Sequence, residues 1–127
     1  MKKHLLTFLL AVALVGAVNA QDTTGNKQFM QVTSIESVYG GGFGRSKLIT
    51  TNPDGTQAEE DLENLFSLTG INFKNIKSNE LKITQTIKKY TDKGWTLQQV
   101  TPLSVSPGQN SSGIFMTRYL LSKAEQK

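Results

Sequence analysis

The residues that could do chemistry fall in four places. They are the cluster Gly40-Gly41-Gly42-Phe43-Gly44 ending on Arg45, the acids Glu59, Glu60, Asp61 and Glu63, the isolated Arg118, and His4, the only histidine. Glycine-rich loops cradle phosphates, but only at particular spacings. Starting from Gly40 and Gly42, a G-x-G-x-x-G frame ends on Arg45 instead of glycine, and the Gly-Lys-Ser/Thr ending of a P-loop is absent. No helix is expected to follow and receive an anion on its N-terminus. The cluster therefore reads as a flexible connection or wide bulge. In a weaker variant, its backbone amides and Arg45 form a nest for a carboxylate or sulfate.

Paired carboxylates hydrolyse glycosides when an apolar pocket raises the pKa of one of them. Glu59, Glu60, Asp61 and Glu63 lie on what reads as a charged strand edge, so an acid-only hydrolase is a distant alternative. Arg118 falls between Met116 and Leu120 on an alternating run, which points it to an apolar face. Buried there, it would need a partner, and Glu36 is the candidate. Exposed beside Tyr119, Trp95 or Phe43, it would suit an anionic or sugar ligand. The candidate ligand-binding residues are thus Tyr39, Phe43, Arg45 and Arg118. Asn110-Ser111-Ser112 fits a glycosylation sequon and reads as a surface loop.

His4 belongs to a different kind of segment. Met1-Lys2-Lys3-His4 is a short basic stretch, Leu5 to Ala17 is uncharged and mostly apolar, and Val18-Asn19-Ala20 offers small residues for a signal peptidase. Residues 1–20 are expected to be a cleavable signal peptide, because the apolar run is shorter than the roughly 20 residues that span a bilayer. Cleavage would leave Gln21 first and a periplasmic or secreted bacterial protein. The exported chain would contain neither histidine nor cysteine. That removes Ser-His-Asp and Cys-His catalysis, thiol redox chemistry and ordinary zinc sites. No catalytic residue, metal or cofactor is expected. Of the 14 Lys and Arg, Lys2 and Lys3 would leave with the peptide. Twelve basic residues then face 10 acidic ones, a net +2 in place of +4, which gives little steering toward nucleic acid.

The remaining 107 of 127 residues suffice for one domain, residues 21–127, with residues 21–27 expected to be disordered. A cysteine-free exported domain of this size is held by packing alone, which makes association an attractive source of further stability. Met30 to Tyr39 reads as a first strand, with a bulge where the apolar phase slips between Val32 and Ile35. Ser46 to Thr51 reads as a second strand, Asn52-Pro53-Asp54-Gly55 as a tight turn, and Thr56 to Glu60 as an edge strand guarded by its acids. Leu62, Leu65 and Phe66 have the spacing of a short helix ending before Gly70, and Ile71 to Ile76 is expected to lie across the sheet. The main helix is predicted from a cap at Ser78 or Asn79 to about Asp92, with Ile83, Ile87 and Tyr90 inward and its lysines on a solvated face. Trp95 is expected as a core plug under that helix. The run from Trp95 to Val105 is a strand broken by Pro102, which implies a bulge or an edge. Ile114 to Ser122 returns beside it, with Ile114, Met116 and Leu120 on one side and Phe115, Tyr119 and Leu121 on the other. Apolar residues on both faces mark it as a central strand, or one covered by another subunit.

The helix followed by Lys93-Gly94-Trp95-Thr96-Leu97-Gln98-Gln99-Val100-Thr101-Pro102, a polar loop and Ile114-Phe115-Met116-Thr117-Arg118-Tyr119 resembles the small bacterial domains called domain of unknown function 4177. The resemblance covers about the last fifty residues. It implies a hairpin–helix–hairpin domain that self-associates, and it carries over no catalytic residue. The expected fold is therefore α+β: an antiparallel sheet of four to five strands in two hairpins, with one main helix on one face. The expected function is a non-catalytic binding or self-assembly module, partnered by copies of itself or by another exported protein. A small-ligand binder is the alternative.

Overall fold

A computed structural model describes residues 26–38, 45–106 and 113–125. Seven strands and one helix follow in the order β1 (Lys27–Val38), β2 (Ser46–Thr51), β3 (Gln57–Leu62), β4 (Phe66–Ser67), β5 (Gly70–Ile71), α1 (Phe73–Thr91), β6 (Thr96–Val105) and β7 (Gly113–Ala124). Five strands form one antiparallel sheet in the order β3-β2-β1-β7-β6, and β4 and β5 make a separate two-stranded hairpin. The fold is α+β. Among the described residues, no helix is long and apolar enough to cross a membrane.

Strand register decides which side chains share a face. On β1, Met30, Val32, Ser34 and Glu36 stand opposite Leu121, Tyr119, Thr117 and Phe115 of β7. Val32 and Ser34 also stand opposite Thr50 and Leu48 of β2. This face receives the helix. Met30, Val32, Leu48, Leu62 and Leu121 are its buried apolar centre, and Ile83, Ile87, Tyr90, Trp95 and Tyr119 pack against them. Ile83, Ile87 and Tyr90 are thus the inward stripe their spacing predicts, and Trp95 packs on the core where the chain leaves the helix. The opposite face, on which no described helix lies, carries Thr33, Ile35, Met116 and Arg118.

Local chemistry sets the element ends. Gly55 takes φ 83° in the first hairpin turn, and its N–H donates to the Asn52 carbonyl (2.9 Å). The helix is capped by Asn72, whose side-chain oxygen accepts from Asn75 N (3.2 Å). Lys88 and Lys89 occupy its last turn, and Gly94 (φ 84°) turns the chain away where a side chain would be strained.

Three expectations are corrected. The stretch after Leu62 is no helix: Leu62 ends β3, and the chain then forms the β4–β5 hairpin. Ser67 Oγ donates to the Gly70 carbonyl (3.3 Å), and Gly70 adopts φ 108°, which is turn chemistry that outweighs three apolar residues at helical spacing. The helix also starts at Phe73, five residues before Ser78. Asn72 takes the cap, and Asn79 is wholly buried in the second turn. Finally, β1 pairs with both neighbours without a register break. The one register shift lies in β6 between Leu97 and Gln99.

Candidate interaction surface

The helix covers only part of this sheet. The inward stripe of α1 packs on a core drawn from β1, β2, β3 and β7, and β6 contributes no buried residue to it. Its contacts place it toward β3, where Lys82 Nζ donates to the Asp61 carbonyl (2.8 Å) and Asn79 bonds both backbone groups of Glu63. The β6 edge is left in the open.

Every residue of β6 is exposed. On the helix side, register places Leu97 opposite Leu121 and Val100 opposite Tyr119. On the bare side, Leu103 stands opposite Met116 and Val105 opposite Ile114. Leu103 and Val105 are 55% and 54% exposed. No charge interrupts the strand, whereas the other edge, β3, carries Glu59, Glu60 and Asp61. That contrast is physical: charges on an edge deter pairing, and β6 has only Pro102, which brings no N–H to a further strand. A hollow of about 300 Å³ lies on the β6–β7 hairpin, lined by Pro102, Leu103, Ser104, Phe115, Met116 and Thr117. The strand was legible in the sequence; of the bulge or edge that Pro102 implied, the sheet order gives the edge. The two-sided exposure was not, and the missing charge from Thr96 to Ser106 was its only signal.

The predicted ligand residues are scattered or out of view. Tyr39, Phe43 and the glycine cluster lie outside the described residues, as do residues 1–25 and the sequon at Asn110. Arg45 is exposed just before β2. Arg118 is exposed in the middle of β7, with β1 between the two strands. The expected Arg118–Glu36 pair is excluded by register. Arg118 stands opposite Thr33 on the bare face, whereas Glu36, opposite Phe115, points to the helix face. There Glu36 Oε1 accepts from Asn79 Nδ2 (3.0 Å). The 300 Å³ hollow and a second one, lined by Lys27, Gln28, Phe29, Pro53, Asp54 and Glu125, both omit Arg45 and Arg118.

Three side chains of the sheet have shifted titrations, Lys47, Asp61 and Tyr119. Asp61 is held below its ordinary value by the hydrogen bond and charge of Lys47, 2.8 Å away, the opposite of what an acid catalyst needs. Burial, and then the Glu36 carboxylate, push the Tyr119 phenol up. Among the described residues, no group of three His, Cys, Asp or Glu is placed to hold a metal ion. No family model, curated protein or solved structure matches this chain.

Proposed function

We propose that the protein is an exported, non-catalytic binding or self-assembly module that associates through the β6–β7 end of its sheet. The observation that carries this reading is β6 itself, exposed along its length, uncharged and apolar on both faces. Among the described residues, ten large apolar side chains are exposed, and four of them, Leu97, Val100, Leu103 and Val105, lie on β6. Contiguous apolar surface of this kind marks an interaction site. Pro102 favours packing of the faces over addition of a strand.

The test is the solution mass of the chain beginning at Gln21, by light scattering over a concentration series. A dimer or larger species is expected, and a strict monomer at every concentration sinks the self-assembly reading.

A further inference from the structure

A second exposed apolar feature lies away from β6, at the junction of the β4–β5 hairpin and the start of α1. Leu68 at the hairpin turn is 86% exposed, Ile71 56% and Phe73, the first helical residue, 68%. This is a built projection. Ser67 Oγ and Thr69 Oγ1 bond each other (3.1 Å), Ser67 Oγ donates to the Gly70 carbonyl, and Asn72 N donates to the Leu65 carbonyl (2.9 Å). Polar groups thus hold a hairpin whose apex is leucine.

The charge within it is positive, with the exposed acids Glu63 and Glu80 bordering it on either side. From Leu65 to Asn79 the chain carries Lys74 and Lys77 and no acid. The first turn of α1 lacks the acidic residue that a helix N-terminus favours. Lys77 and Leu81 follow Phe73 at i+4 and i+8 along the helix surface, and Leu81 is also exposed. The result is an apolar tip flanked by cations, continued along an amphipathic helix face.

We propose that Leu68, Ile71 and Phe73, flanked by Lys74 and Lys77, dock the protein on an anionic lipid bilayer. The apolar side chains enter the acyl boundary while the lysines stay at the headgroups. Charge and size both select this occupant. Three side chains of this kind expose about 500 Å² at most, short of the roughly 800 Å² per partner of a stable protein interface. A bilayer accepts separate side chains without a matching pocket. The tip does not include β6, so this docking and the self-assembly reading fail or stand independently.

The chain beginning at Gln21 contains every described strand and the described helix, and it is spun with vesicles of phosphatidylcholine alone or mixed with phosphatidylglycerol. Co-sedimentation is expected with the mixed vesicles, with far less on phosphatidylcholine alone. Leu68→Asp with Phe73→Asp should weaken it more than tenfold, and Lys74→Gln and Lys77→Gln about fivefold each. All four positions are exposed, so a native circular dichroism spectrum is expected and is checked. Failure of the parent chain to sediment, or equal sedimentation of parent and variants, overturns the proposal. So does loss of self-association in the Asp variants with vesicle binding intact, which would make the tip a protein contact.

Discussion

Two buried asparagines show what a polar side chain does inside this fold. Asn79 has no accessible surface; its oxygen accepts from Glu63 N (2.8 Å), and its amide donates to the Glu63 carbonyl (2.8 Å) and to Glu36 (3.0 Å). Asn64, also buried, has neither side-chain atom bonded, although its carbonyl accepts from Asn75 Nδ2. An unpaired buried group costs about 1–3 kcal/mol, so the two should respond oppositely. Asn79→Ala is expected to lose roughly 2–4 kcal/mol by stranding several partners, while Asn64→Leu should leave stability unchanged or raise it; urea unfolding of each decides. Lys47 offers a pH test. Its partner Asp61 has a folded pKa below the ordinary 3.8, so this pair's stabilisation is present above that value and fades as pH falls through the folded pKa. Lys47→Gln should return the Asp61 titration, followed by carboxyl carbon shifts, toward its ordinary position. Because the pair is exposed, the midpoint of thermal unfolding should scarcely move.

At the scale of elements, the helix start is the informative boundary. Ser78 and Asn79 are good caps by residue type, and so is Asn72. Asn72 takes the cap because the longer helix lets Asn79 reach Glu36 of β1 and the backbone of Glu63 just after β3, a gain in tertiary bonding that residue preference does not register. Asn72→Ala should destabilise the protein by about 1 kcal/mol, with Asn72→Ser close to the parent in thermal unfolding. The β4–β5 hairpin teaches the reverse lesson. Leu62, Leu65 and Phe66 have helical spacing, yet Leu62 belongs to an edge strand and the rest follow the turn set by Ser67, Thr69 and Gly70. Spacing over so few residues cannot separate a helix turn from a strand end.

Among the described residues, one helix on five strands accounts for both the small core and the exposed hairpin. If β6–β7 is the association surface, Leu103→Glu with Val105→Glu should give a monomer in light scattering. Both side chains already face water in the lone subunit, so its own fold should persist. The same substitutions in a ligand-binding monomer would leave the mass unaltered. The α+β class, the two hairpins, the inward stripe of α1 and the choice of bulge or edge at Pro102 were readable from the chain, because period and turn chemistry are local properties. The absence of histidine and cysteine beyond His4 was equally plain. Only the tertiary structure decided that Arg118 and Glu36 lie on opposite faces, that Asn79 is buried instead of capping, and that β6 stands in the open. Each depends on register between distant strands or on where a single helix settles across the sheet, and neither is written in the spacing of any one segment.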